Sequence, residues 1–180
     1  ESVNNAKARV NRREVNFMIA DALNLPFDSD FFDMVICSNA TSFIKDKSKA
    51  VKEFFRVVKP WGFIATCPMY YVKEPPIEIL ESISDILGTK LDIKTKKDWL
   101  NLFIKRGFEI YYTNDYRFDY QSRKVIKDLV TETINKPHII SLSQVVKEKI
   151  SYRWENTLSV FNENLSHVGY SVILLRKREE

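Results

Sequence analysis

Apolar residues recur along this chain at two periods, and each switch of period marks the edge of an element. Val3, Ala6 and Val10 fall at helical spacing, which predicts a helix over Glu1 to Arg12. Little chain precedes it in which to build an N-cap, so the sequence reads as starting inside a larger unit. Val15 to Ile19 predicts a short strand, followed by an irregular stretch from Ala20 to Phe27. From Phe32 to Ser38 nearly every residue is apolar, the pattern of a strand covered on both faces. Ala50, Val51, Phe54, Phe55, Val57 and Val58 form the buried stripe of the next helix. That helix should stop at Lys59-Pro60, because proline cannot continue the hydrogen-bond ladder. Gly62 to Met69 predicts a third strand, and Pro75 to Leu87 a helix closed by Gly88. A further helix, Lys96 to Arg106, opens with Thr95 and Asp98 at capping-box spacing and closes at Gly107. Phe108 to Phe118 then reads as a fourth strand, rich in aromatic and β-branched residues.

Strand and helix alternating in this way predict an α/β fold, a mostly parallel sheet with right-handed crossovers. The rhythm breaks late in the chain, where Gln121 to Leu165 carries only helical patterning. Val125, Ile126, Leu129, Val130 and Thr133 line one helix face. Leu142, Val146, Ile150, Trp154, Leu158, Phe161 and Leu165 line a second, longer one. Gly169 to Arg176 closes the sequence as a strongly apolar strand. At 180 residues the length suits a single domain.

Composition narrows the partners more than the fold. With 44% hydrophobic and 29% charged residues the chain reads as an ordinary soluble globular protein. The net charge of +4 is scattered, apart from Arg176-Lys177-Arg178, so a nucleic-acid partner is not expected. Cys37 and Cys67, each inside an apolar run, read as reduced thiols and point to the cytoplasm. No segment approaches the roughly 20 apolar residues needed to span a bilayer, and no signal peptide is evident. No His, Cys, Asp and Glu grouping has metal-ligand spacing. The sequence leaves a homo-oligomer open.

Five features stand in a fixed order. They are Asp21-Ala22 after a strand, Leu25-Pro26-Phe27, Phe32-Asp33 opening the next strand, Arg56 to Gly62, and Trp99 to Phe108 with its Gly107-Phe108 ending. In that order and spacing the chain resembles the class I S-adenosylmethionine-dependent methyltransferases, in particular the ubiquinone/menaquinone-biosynthesis branch (methyltransferase type 11). The resemblance covers residues 1 to about 118 and the final strand. It implies a Rossmann-like sheet with an antiparallel last strand, and transfer of a methyl group from S-adenosylmethionine to a small molecule, with S-adenosylhomocysteine as product.

Carried over position by position, the resemblance gives Asp21 a hydrogen bond from the adenine amino group, Ala22 a backbone N–H to the ring, and Leu23 a packing contact beside it. An ionised carboxylate suits that place because it only accepts. The plainer reading of Asp21 is a turn cap. Ser38 and Asn39 leave a strand at its carboxyl end, where open α/β sheets bind ligands, or they are simply a polar strand exit. Ser38-Asn39-Ala40-Thr41 lacks both the Asn/Asp-Pro-Pro-Tyr/Phe pattern and the Pro-Cys pair of DNA-base enzymes, which points away from a DNA substrate.

Two departures matter. Pro60-Trp61-Gly62 stands where the family has Pro-Gly-Gly, with Gly62 expected to supply any unusual backbone angle and Trp61 a packing or association point. More seriously, the only glycines are Gly62, Gly88, Gly107 and Gly169, none in a cofactor-cradling loop. The resemblance places that loop, the ribose-binding acid and two central strands upstream of Glu1, in some 50–80 further residues at about 30 per βαβ unit. Without those strands, Val15–Ile19 and Phe32–Ser38 would lie roughly 10–15 Å apart.

Residues 70–94 and 121–165 are expected to form a substrate lid. Within it Tyr70, Tyr71 and His138 are weak candidates for acceptor contacts or a general base, set against ordinary core, rim and loop roles. Asp33 is expected to orient local backbone. Two rival functions stand beside methyl transfer: a non-catalytic methyltransferase-like scaffold subunit, and the same fold running an aminopropyl transfer.

Overall fold

The computed structural model describes residues 2–10, 15–88 and 94–179. In chain order its elements are α1 (Ser2–Arg9), β1 (Phe32–Cys37), α2 (Lys47–Val57), β2 (Val58–Thr66), β3 (Met69–Tyr71), α3 (Ile77–Leu87), α4 (Lys96–Ile104), β4 (Phe108–Arg117), α5 (Arg123–Ile134), α6 (Pro137–Ile140), α7 (Gln144–Leu165) and β5 (Val168–Lys177). They group into two compact units interleaved in sequence. The first is Glu1–Thr66, Asn101–Tyr112 and Ile173–Glu180; the second is Cys67–Leu100 and Thr113–Val172.

In the first unit β1 and β2 run parallel, with Met34 opposite Phe63 and Cys37 opposite Thr66. β2 then pairs antiparallel with the end of β5, Phe63 facing Arg176 and Thr66 facing Ile173. This is the α/β arrangement that the alternation predicts, with the antiparallel final strand that the family resemblance implies. α2 is held at its start by Asp46, whose side chain accepts from Lys49 N at 2.9 Å. Its predicted stripe is buried, and so is the core it joins: Ile64, Phe103, Phe108, Ile173 and Leu175. Phe108 meets Phe55 edge-on at 5.0 Å between ring centroids.

Three expectations are corrected here. Residues 15–19 form no strand, and Ile19 is 86% exposed. A strand exists through its neighbour's ladder, and among the described residues none offers one. β1 is not covered on both faces: it pairs only with β2 among the described strands, and Ile36 is 76% exposed. The third strand starts at Val58, not Gly62, because α2 ends at Val57 and the chain turns extended at once. Proline at the beginning of a strand costs little there, since no helical carbonyl opposes its ring.

The Pro60-Trp61-Gly62 turn divides its labour differently from the expected way. Trp61, not Gly62, takes the left-handed angle, φ 63°. That is a strained conformation for a bulky residue. Its indole N–H reaches Glu179 Oε2 at 3.2 Å, and the Arg176 guanidinium lies 5.2 Å from its ring. Gly62 is needed for close approach: a Cβ there would meet Val58 Cγ1 at 2.8 Å and the Asp33 and Lys59 carbonyl oxygens at 2.9 Å.

In the second unit β3 pairs antiparallel with the start of β5, Tyr70 facing Gly169. α3 and α5 both pack on α7. The capping box at α4 forms as its spacing predicts: Thr95 N donates to Asp98 Oδ2 at 2.8 Å and Asp98 N to Thr95 Oγ1 at 3.3 Å. Of the predicted α5 stripe, Ile126 and Val130 are buried while Val125 and Leu129 are exposed. Leu142 precedes α7, which begins at Gln144 after the separate turn of α6.

The Arg176-Lys177-Arg178 cluster is consumed inside the first unit. Arg176 and Arg178 both pair with Glu109. Lys177 is buried, and its ammonium donates to Asp30 Oδ1 at 2.7 Å, Val58 O at 2.9 Å and Phe55 O at 3.0 Å. All three of its hydrogens are used. Lys177→Met keeps the stem and leaves two carbonyls without that donor, so the unfolding free energy should fall by about 2–4 kcal/mol. Urea denaturation checks this; a loss below about 0.5 kcal/mol would mean the ammonium contributes nothing net.

Candidate functional site

Asp21 to Asn24 form a tight turn, with Asn24 N donating to Asp21 O at 3.0 Å and a lone bridge between the two residues. The Asp21 side chain caps it: Oδ1 accepts from Leu23 N at 2.9 Å. This is the plainer of the two sequence readings, and it leaves room for the other. Asp21 Oδ2 and the Ala22 N–H make no hydrogen bond among the described residues, so one acceptor and one donor stand side by side on the exposed turn.

The chain beyond the turn is pinned by α2. Glu53 Oε2 accepts from Leu25 N at 2.9 Å, while Arg56 donates to Leu25 O at 2.9 Å and to Phe27 O at 2.6 Å. Glu53 and Arg56 also bind each other, Nε to Oε1 at 3.0 Å and Nη2 to Oε2 at 2.7 Å. The Arg56 hydrogen bond, aided by the Leu25 amide and opposed by burial, brings the Glu53 carboxyl from 4.5 down to about 2. Phe27, Phe31 and Phe32 pack their rings together at 4.7–5.6 Å.

Ser38 follows β1 and heads a 3-10 turn, Asn39–Phe43, without a side-chain cap. Asn39 Oδ1 accepts from Ser42 Oγ at 2.5 Å. The sequence reading passed over two threonines near these strand ends. Thr41, in the turn after β1, and Thr66, ending β2, are both buried with hydroxyls that have no partner among the described residues. No periodicity marks a threonine as orphaned, so nothing in the sequence could have singled them out. Asp33 pairs with Lys59 at 2.8 Å, which holds its carboxyl below the usual range; it serves an ion pair more than the backbone.

The other three candidates lie in the second unit. Tyr70 is buried, its hydroxyl 3.0 Å from Ser171 Oγ, which donates on to Asp115 Oδ1 at 2.6 Å. Lys96 closes that chain at 2.6 Å from the same oxygen. Tyr71 donates to Asn164 Oδ1 at 2.9 Å, and burial pushes its phenol up. His138 is exposed in α6 and makes no hydrogen bond among the described residues. No described contact joins it to either tyrosine. A cleft of about 340 Å³ between α5 and α7 is lined by Tyr120, Arg123, Asn156 and Glu163 among others. Among the described residues no group of three or more His, Cys, Asp or Glu could hold a metal, and no helix is long and apolar enough to cross a membrane.

Comparison with known proteins finds similarity over part of the chain. The model of the methyltransferase domain matches residues 1–66, the stretch that holds the Asp21 turn, β1, α2 and β2. An uncharacterized protein of Haemophilus influenzae is 31% identical over 111 residues, covering 57% of this chain and 44% of that protein. The demethylmenaquinone methyltransferase of Clavibacter sepedonicus is 36% identical over 72 residues, 40% of this chain and 28% of its own. The chain thus spans less than half the length of these relatives.

Solved structures extend the likeness in fold to most of the chain. MccD protein aligns with a TM-score of 0.75 at 18% identity, covering 88% of this chain and 66% of its own. The cyclase SpnF aligns at 0.67 and 18%, covering 98% and 61%. The Haemonchus contortus phosphoethanolamine N-methyltransferase 2, solved with S-adenosyl-L-methionine, aligns at 0.62 and 16%, covering 88% and 36%. At these identities the shared property is the fold.

The depressed Glu53 carboxyl makes a pH test. Its folded value lies below its unfolded one, so its contribution to stability is complete above about pH 4.5 and disappears as pH falls through about 2. Urea midpoints measured from pH 5 down to pH 2 should therefore fall more steeply in the wild type than in Glu53→Gln. Parallel profiles would show that the pair does not couple to folding.

Proposed function

We propose that this methyltransferase domain binds S-adenosylmethionine and transfers its methyl group to a small-molecule acceptor. The observation that carries the reading is the Asp21–Ala22 edge. Its open carboxylate oxygen and its open N–H present an acceptor beside a donor, the complement of the amino group and ring nitrogen of adenine. The residues present therefore fit the adenine end of the cofactor. Asp21 and Ala22 would hold the ring edge, and Leu23, half-buried, would pack against its face. Ser38 and Asn39, with the orphaned hydroxyls of Thr41 and Thr66 near the same strand ends, are the candidates for the rest of the molecule. Bound there, S-adenosylmethionine supplies a methyl group activated by its sulfonium, and S-adenosylhomocysteine is the product.

The chain's own contribution is chiefly to position and to exclude water. Residues 70–94 and 121–165 are assigned to recognition of the acceptor. Within them Tyr71 stays protonated and works as a hydrogen-bond donor, which argues against a base role at neutral pH. Tyr70 is engaged by Ser171, and His138, the freest titratable group of the three, is the one left to serve as a base. Free thiols at Cys37 and Cys67 support a reducing compartment, the cytoplasm. The scaffold alternative keeps the fold without the ligand, and binding separates the two.

Calorimetric titration of the full-length protein with S-adenosylhomocysteine should show saturable binding, weakened about tenfold by Asp21→Ala, or ~1.4 kcal/mol. Absence of any binding supports the scaffold. Binding that Asp21→Ala leaves unchanged removes the adenine assignment.

A further inference from the structure

The Asp21 turn has no strand behind it: residues 15–19 carry no ladder, and the turn's own hydrogen bonds are local. What fixes it in space comes from the far side. Leu25, next after Asn24, is gripped at both its N–H and its carbonyl by two side chains of α2, and Phe27 by one of them. Sequence separations of 28 to 31 residues are bridged by this one pair. Both side chains are partly buried, Glu53 at 13% and Arg56 at 31% exposure.

The geometry suits a fork. Arg56 uses Nε and Nη2 on the carboxylate and still has Nη1 and Nη2 hydrogens for two loop carbonyls, a division only a planar guanidinium can make. Glu53 meanwhile keeps one oxygen turned to the Leu25 amide. α2 is itself anchored by its buried stripe, so the pair transfers the rigidity of the core to a loop with no regular structure. We infer that Glu53 and Arg56 are positioning residues for cofactor binding, setting the place of the Asp21–Ala22 edge without touching the ligand. The inference rests on the adenine reading of that edge, although the mechanical part of it does not.

Arg56→Lys tests it, because lysine keeps the charge and cannot span the fork. Two measurements are made on the full chain. In amide hydrogen exchange, Arg56→Lys should accelerate exchange at Leu23, Asn24 and Leu25 about tenfold or more while amides of β2 and β5 keep their rates. In titrations with S-adenosylhomocysteine, Arg56→Lys should weaken binding about five- to twentyfold, and add less than about twofold in an Asp21→Ala background, since both act through one edge. Glu53→Gln, which keeps an oxygen for Leu25 N, should lose less affinity than Arg56→Lys. Exchange that rises uniformly over the unit, or not at all in the turn, overturns the positioning role. So does an affinity loss that multiplies fully with that of Asp21→Ala. Failure of the wild type to bind would count against the cofactor reading, and the exchange rates would still decide whether the fork holds the turn.

Discussion

One ammonium group organises the first unit. Lys177 brings a positive charge among Phe55, Val58 and the segment before β1, where a lone charge would be costly to desolvate. The location is tolerable because α2 delivers Phe55 O and β2 delivers Val58 O to it, and Asp30 supplies the counter-charge. The Phe55 ring lies 4.6 Å from the same nitrogen. The end of α2, the start of β2 and the entry to β1 thereby converge on the last strand. The abrupt passage of α2 into β2 follows from it: a loop there would carry the Val58 carbonyl away from its donor.

Upon that frame the loop from Asp21 to Phe27 is hung. It contributes little core beyond the Phe27 ring and owes its order to polar grips from α2. Under the proposed reading this division serves a binding loop, whose backbone must stay available to a ligand while something rigid holds it. The Asp21 side chain shows the compromise within one carboxylate, with one oxygen given to its own turn and one left over.

Much of this was legible from residue patterns. The α2 stripe, the Thr95–Asp98 box, Gly88 and the final strand all follow from local periodicity and cap chemistry, which act within a few residues and so are written locally. The failures share a cause. Val15–Ile19 has a strand's residues without a strand, because pairing depends on a neighbour and not on the segment. Trp61 holds φ 63° because Glu179 and Arg176, more than a hundred positions away, engage its ring. The Leu25-Pro26-Phe27 and Arg56 motifs were each visible in the sequence. Their mutual hydrogen bonds, and the orphaned hydroxyls of Thr41 and Thr66, were not, since no spacing rule reports a contact across 30 residues.

The antiparallel pairing of β2 with β5 has a consequence for how the protein is made. β2 ends at Thr66, but its partner residues are Ile173 to Arg176. A nascent chain can build α2 and the β1–β2 pair early, at emergence rates of about 5–20 residues per second, yet the edge of β2 that β5 covers stays bare until β5 has been made. Lys177, at the end of β5, arrives with it. Until β5 is made the chain therefore exposes an unpaired strand edge, a template on which another chain could pair.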